Sequence, residues 1–409
     1  MFKLLKTKKM KYKLLKINIY ALLSLCLVVG CQENEIGPLE SNNTKPGIVD
    51  NVQVENIPGG SKLTYTLPKN QDLLYVRAEY TLASGKVAEV KASYYKNTLT
   101  VEGFADEEEH EVKLYAVNRS EVSSDPVSVT IQPLESPIWE VFRSLQATTA
   151  FGGVRLTAKN ELRNDLSILL MEKNNQGDWE TNINSIYTST DSINKTIRGF
   201  DIEEHDFAIT IRDRWLNTTD TLYTAITPFP EVALPKSNYK PFVLPGDTKT
   251  HSTAILRNMW DGEQINWPGV FLTDGAVPGQ HIATFDIGEA TKLSRIVIWD
   301  YPEYYNGRTY YYIGNLKKFE IWGSENPNPD GSLDDTWYKL GSYNATKPSG
   351  LPFGEQTGED YDTARAGFSW EFDVAAPKVR YLRIKSIKNW GGIGSMSIAE
   401  IQVYGAPNE

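Results

Sequence analysis

The chain is poor in thiols and imidazoles, with two cysteines and four histidines in 409 residues. Both cysteines, Cys26 and Cys31, fall within or just after the N-terminal apolar run. The part that folds therefore has no thiol for a disulfide, a thiolate nucleophile or a cysteine-based zinc site. No nucleophile elbow, P-loop or His-Glu-x-x-His occurs, which removes the common hydrolase and nucleotide-binding templates. Basic charge is scarce as well. Seven lysines lie between Lys3 and Lys16, and without them 35 basic residues face 52 acidic ones, a net charge of −17. Such a surface disfavours nucleic acid and other polyanions. The carboxylate pairs Asp334-Asp335 and Glu359-Asp360 lie in polar, turn-like segments and read as solvated surface. A glycosidase needs two carboxylates facing each other about 5–10 Å apart, and no motif nominates such a pair. A non-enzymatic protein is expected.

The N-terminus has the anatomy of a secretory signal, residues 1–30: lysines, then an apolar run from Ile17 to Gly30 that ends in small residues. Val28-Val29-Gly30-Cys31 resembles the lipobox of a bacterial lipoprotein, which implies cleavage before Cys31 and lipidation of its thiol. Several acyl chains hold a protein on a membrane where one does not. Gln32-Glu33-Asn34-Glu35 resembles the acidic surface-export signal of Bacteroidetes lipoproteins, so an outer-membrane protein facing the exterior is expected. Residues 31–45 are polar without apolar period and read as a flexible tether.

From residue 46 to 133, short alternating stretches such as Lys62-Leu63-Thr64-Tyr65-Thr66-Leu67 and Val112-Lys113-Leu114-Tyr115-Ala116-Val117 are separated by Gly, Pro and Asn breaks. That rhythm predicts an antiparallel sandwich. A repeat extends it. Gly59-Gly60-Ser61-Lys62-Leu63-Thr64 returns as Gly152-Gly153-Val154-Arg155-Leu156-Thr157 at an offset of 93, and Glu109-His110 as Glu204-His205 at an offset of 95. Self-similarity of this kind predicts a second copy over 134–228. Tyr115-Ala116-Val117-Asn118 resembles the penultimate strand of fibronectin type III domains, which would place His110 and His205 at that fold's tyrosine corner, bonded to backbone. Five prolines in the nineteen residues from Thr227 to Pro245 predict a semi-rigid spacer over 229–246 that holds the third module away from the second.

From about Asp247 to Tyr404 the sequence resembles the discoidin domain, also called the coagulation factor 5/8 C-terminal domain, a galactose-binding-like module. The matching pieces are Trp260-Asp261-Gly262, Ala283-Thr284-Phe285-Asp286-Ile287-Gly288, Phe319-Glu320-Ile321-Trp322-Gly323-Ser324, Val379-Arg380-Tyr381-Leu382-Arg383-Ile384 and Ala399-Glu400-Ile401. The expected architecture is all-β: two tandem Ig/fibronectin III-like sandwiches, then a discoidin-like jelly-roll β-sandwich over 247–409. The resemblance further implies a structural calcium ion (Ca2+) held by the side chains of Asp261 and Glu400 and the carbonyls of Met259, Glu263 and Asn266. Oxygen-rich loops of this kind suit a hard cation; the alternative is that Asp261-Gly262 is only a turn. With the two preceding modules, the chain also resembles surface lipoproteins of Bacteroidetes polysaccharide-utilisation loci that carry three domains of unknown function. That resemblance implies a glycan-related role.

Tyr301-Pro302-Glu303-Tyr304-Tyr305-Asn306-Gly307-Arg308-Thr309-Tyr310-Tyr311-Tyr312 packs six tyrosines and an arginine into twelve residues. A sugar offers apolar C–H faces and a hydroxyl rim, so its site wants flat rings beside hydrogen-bonding groups. Tyr304, Tyr305, Asn306, Arg308 and Trp390, with Trp267 and Arg365, are the candidates. Tyr310 and Tyr312 read as core positions of a strand. Trp390-Gly391-Gly392 reads as an indole exposed on a flexible turn, with a packed indole as the alternative. Two classes compete: a surface lipoprotein that captures a glycan, expected to be neutral given the net charge, and an assembly lipoprotein that binds another outer-membrane protein.

Overall fold

The computed structural model describes residues 41–305, 307–392 and 394–407. The signal segment, Cys31 and Asn306 lie outside them. The chain divides into two compact units at Ser136/Pro137.

The first unit is a seven-stranded sandwich. Strands β1 (Asp50–Ile57), β2 (Gly60–Thr66) and β5 (Thr98–Glu102) form one sheet, and β3 (Leu73–Thr81), β4 (Val87–Ser93), β6 (His110–Asn118) and β7 (Val127–Ile131) the other, in the order β4-β3-β6-β7. Period-two alternation puts Leu63, Tyr65, Val76, Ala78, Leu99, Val101, Val112 and Leu114 inside. The C-terminal end of the expected tether, residues 42–45, is docked. Asn118 Nδ2 donates to the carbonyls of Asn42 and Thr44, both at 3.1 Å, and Lys45 pairs with Asp125 at 2.5 Å, so residues 42–45 lie along this sandwich.

In the second unit a short helix α1 (Pro137–Ser144) precedes a sandwich of the same plan. One sheet holds β8 (Gln146–Ala150), β9 (Gly153–Lys159) and β13 (Ser192–Arg198). The other holds β10 (Leu166–Lys173), β11 (Trp179–Thr181), β14 (His205–Asp213) and β15 (Leu222–Ile226) in the order β11-β10-β14-β15, with β12 (Ile186–Thr188) beside β10. Helix α1 contributes Ile138 and Val141 to the core shared by the two sheets. His110 and His205 occupy the repeated corner, but each bonds a carboxylate four residues earlier rather than backbone: Asp106 at 2.7 Å and Asp201 at 2.8 Å. Each imidazole also lies against a phenylalanine, Phe104 or Phe200.

The same unit continues into the C-terminal sandwich. Its axis is a nineteen-residue strand, His281–Trp299, that serves both sheets. The first half pairs with Val379–Asn389 and the second half with Glu400–Ala406. The bend between them falls at Gly288, where φ is +101° and a Cβ would meet Asn238 Cβ at 2.9 Å; only glycine fits there. Strands Leu316–Ser324 and Tyr338–Asn344 complete the first sheet. Phe285, Phe319, Ile296, Ile384, Ile401, Met259 and Trp260 fill the core between the layers.

The proline-rich stretch is not a spacer. Val232–Ala233 pairs with the last strand and Lys240–Pro241 with the long one, so prolines that keep this chain extended also prepare it to lie along sheet edges. Ions fasten the junction. Glu231 accepts from Arg198 Nε at 3.2 Å, Arg295 Nη2 at 3.1 Å and Ser294 Oγ at 2.5 Å, while Arg198 Nη1 reaches Glu371 at 2.8 Å. Burial works against the charge on Glu231, yet the hydrogen bonds from Arg295 and Ser294 and the Arg198 guanidinium hold its carboxyl below the usual range.

Candidate functional site

The tyrosine-rich segment begins where the long strand ends. Glu303–Tyr304 and Arg308–Thr309 form a two-rung hairpin with Tyr304 opposite Arg308. Tyr304 is 80% exposed, and the Arg308 guanidinium stands 5.6 Å from its ring centroid. Beyond the hairpin the chain is irregular, and three consecutive tyrosines part company. Tyr310 and Tyr311 are buried, as expected for Tyr310, although neither lies in a strand. Tyr312 is not core. It stacks between Tyr305 (5.3 Å, planes at 14°) and Phe353 (4.5 Å, 10°). Tyr305 and Phe353 are exposed. The result is a ladder of three nearly parallel rings.

Phe353 leads from the ladder into a cleft of about 410 Å³ lined by Lys317, Asn344, Lys347, Leu351 and Trp390 among others. Trp390 is half-buried and packs edge-on against Tyr311 at 5.2 Å, so the packed alternative holds and the freely exposed indole does not. Lys317 Nζ stands 4.1 Å and Lys347 Nζ 5.4 Å from the Trp390 ring centroid. Lys347 is buried and donates to the carbonyls of Pro352 at 2.9 Å and Glu355 at 2.7 Å. Burial pushes its ammonium below the usual lysine value.

Of the residues read from sequence, Tyr304, Tyr305 and Arg308 share the hairpin, and Tyr305 reaches the cleft through the ladder. Trp267 lies elsewhere, against His251 and Tyr301. Arg365 sits exposed in the last turn of a helix, Gly358–Ala366. Tyr312, Phe353, Lys317, Lys347 and Asn344 were missed. The one available signal was Leu351-Pro352-Phe353-Gly354, an apolar island in a stretch too rich in Gly and Pro to be a buried strand.

Calcium was the other expectation, and the donors do not fit it. Asp261 is exposed and its carboxylate closes its own turn, accepting from Asn258 Nδ2 at 2.9 Å and Glu263 N–H at 2.9 Å. Glu263 does likewise, taking the N–H groups of Ile265 at 2.9 Å and Asn266 at 3.0 Å. Glu400 is 1% exposed and already has a cation: Lys236 Nζ at 2.8 Å, with the Gly262 N–H at 2.6 Å on its other oxygen. Burial raises the Glu400 pKa against the pull of that ammonium. No cluster of three acidic, histidine or cysteine side chains suited to a metal occurs among the described residues.

Carboxyls near the rings are poorly placed for catalysis. Burial pushes Asp300 up to about 7, but it is sealed from solvent and cannot reach a substrate oxygen. Glu303 is raised by burial too, with Arg308 opposing. Asp360, expected at the solvated surface, is buried and caps its helix with Thr357. Among the described residues no helix is long and apolar enough to cross a membrane.

Three families match, each described as a domain of unknown function: DUF4959 over residues 46–133, DUF5126 over 134–237 and DUF5000 over 260–405. No curated protein matches. Similar solved structures include a SusE-like protein (29% identity, 66% of this chain and 98% of that one, TM-score 0.41). The C-terminal domain of a chitobiase from Bacteroides fragilis is another (17%, 44% and 100%, 0.30). A third is GH31 CBM32-2 bound to GalNAc (14%, 41% and 96%, 0.27). All three of these TM-scores lie below 0.5, and the functional reading rests on the site.

Proposed function

We propose that the C-terminal sandwich binds a glycan across the ring ladder and the Trp390 cleft, and that the chain is a non-catalytic, lipid-anchored capture protein of the outer-membrane surface. The observation that carries this is the Tyr305–Tyr312–Phe353 ladder, three near-parallel rings at the mouth of a cleft with amide and ammonium donors. Rings on an open surface cost solvation that a buried position would recover. Sugar C–H faces recover it, while Lys317, Asn344 and Arg308 meet the hydroxyls. Lys347 spends two of its N–H donors on carbonyls, which leaves Lys317, against the indole face, as the main ammonium donor that the cleft offers to hydroxyls. A neutral glycan suits that arrangement and the net negative charge of the chain.

A glycan array probed with the chain beginning at Gln32, followed by calorimetry on the oligosaccharide it selects, tests the reading. Trp390→Ala, and Tyr304→Ala with Tyr305→Ala, should each weaken binding by ~2 kcal/mol, roughly thirtyfold. Folded variants that bind as tightly as wild type would place the site elsewhere. An array with no hits would favour the assembly lipoprotein.

A further inference from the structure

The second sandwich carries a ring pair that its own fold does not require, and we propose that this pair is a second glycan site taking a single neutral pyranose. Four residues on neighbouring strands build it. Trp179 on β11 lies opposite Lys173 on β10, Lys173 Nζ pairs with Asp206 on β14 at 2.7 Å, and Tyr223 comes from β15. Trp179 and Tyr223 stand on the two outer strands of the β11-β10-β14-β15 sheet. Their side chains lean across it until the ring centroids are 5.6 Å apart with planes at 50°. Beneath them is a cleft of about 320 Å³, the low end of the roughly 300–1,000 Å³ range of small-molecule sites. Trp179 is 37% exposed and Tyr223 65%.

The first sandwich is an internal control. His110 lies opposite Ile131 and His205 opposite Ile226; three residues on, Lys113 faces Ser128 and Ala208 faces Tyr223. Tyr223 therefore corresponds to Ser128. On the other side, Glu79 faces Lys113 and Met171 faces Ala208, so Lys173 corresponds to Thr81. The partner of Thr81 is Val87, which stands where the second sandwich has Trp179. The same fold thus forms with valine and serine at these places.

The chemistry selects the ligand. The two rings touch, and their tilted outer faces form an apolar platform on which the C–H face of a pyranose can stack. The ammonium of Lys173 donates to hydroxyls and the carboxylate of Asp206 accepts from them. As a pair they carry no net charge, so a sugar acid would meet Asp206 and an amino sugar would meet Lys173. This site is independent of the C-terminal reading.

The test is saturation-transfer NMR on the chain beginning at Gln32, with the methyl pyranosides of glucose, galactose, mannose and N-acetylglucosamine as probes. In a Trp390→Ala background, which weakens the C-terminal cleft roughly thirtyfold, at least one probe should still receive magnetisation. Adding Trp179→Val and Tyr223→Ser should weaken that binding at least about tenfold. These substitutions copy residues the first sandwich already tolerates, so the melting midpoint should hold. Asp206→Asn should weaken it as well. The proposal is overturned if no probe binds the Trp390→Ala chain, or if the triple variant binds as well as that chain does. Loss on Trp179→Val with Tyr223→Ser alone, without any loss on Trp390→Ala, would sink the C-terminal reading and leave this one standing.

Discussion

Two regions of the C-terminal sandwich handle polarity in opposite ways. At Glu400 the charge is buried and every oxygen is engaged, by an ammonium and by backbone N–H groups. Along the ladder, the rings of Tyr305 and Phe353 stand open to solvent against Tyr312. The first arrangement stabilises only if all of it is present, since a buried ion left unpaired is strongly destabilising. The second does little for the fold and is available to something outside it. Substitutions should therefore separate cleanly: changes at Glu400 and its partners alter melting, and changes in the ladder alter binding.

The largest expected effect is on Lys236→Met. It strands the Glu400 carboxylate in the interior and should cost about 3 kcal/mol, read as a drop in the urea midpoint of the chain beginning at Gln32. A midpoint within error of wild type would mean that the pair contributes nothing. Phe353→Ala should do the reverse. Its ring lies on the ladder and is 48% exposed, so the urea midpoint should hold while affinity for an array-selected oligosaccharide falls by ~1.4 kcal/mol, about tenfold. If Phe353→Ala melts early and binds normally, the ladder is structural and the contrast fails.

Why one region was legible in the sequence and the other was not follows from distance along the chain. Strand alternation is a local pattern, and the offset of 93 between the two Gly-Gly pairs repeats that local pattern without requiring any contact between its copies; both sandwiches follow from them. Tyr304 and Arg308 were readable because a hairpin brings near neighbours together. Lys236 and Glu400 are 164 residues apart, and nothing in Lys236-Ser237-Asn238 announces a buried partner. The prolines of 229–246 suggest an extended spacer, but two short edge strands dock here with a 3-10 turn at Lys236–Asn238 between them, because docking depends on sheet edges supplied from Phe285 and Tyr404. Tyr312 was misassigned for a similar reason. Three tyrosines in a row look like strand alternation, whereas the positive φ of 52° at Tyr311 breaks the strand and turns Tyr312 outward onto Phe353.

A smaller effect concerns pH. Asp300 is held near 7 by burial, against about 3.9 in an unfolded chain. Between those values the folded state keeps a proton that the unfolded state has released, so this group stabilises the fold at low pH. Its contribution fades as pH rises through the folded value, at up to about 1.4 kcal/mol per pH unit. Other carboxyls, Asp286 and Glu320 among them, are lowered by their cationic partners despite burial and slope the other way. The informative quantity is the difference between wild type and Asp300→Asn measured from pH 4 to 7. Wild type should lose stability relative to the variant as pH rises, and parallel curves would show that Asp300 does not titrate in this window.

The smallest expected effect is none at all, and it probes the Glu400 side of the contrast most directly. A cation that binds only the folded state raises the melting midpoint by mass action, so calcium at a resemblance-implied site would separate melting curves taken with calcium from those taken with chelator. Here Lys236 Nζ already lies 2.8 Å from the one buried carboxylate of that set, and Asp261 and Glu263 turn their oxygens onto their own loop. For calcium to bind, the ammonium must withdraw and two turns must open, each losing N–H···O bonds that the ion would have to replace. The two curves should superimpose. A wild-type midpoint several degrees higher in calcium would mean that Lys236 yields its place, and the Lys236→Met chain would then be the more calcium-responsive of the two.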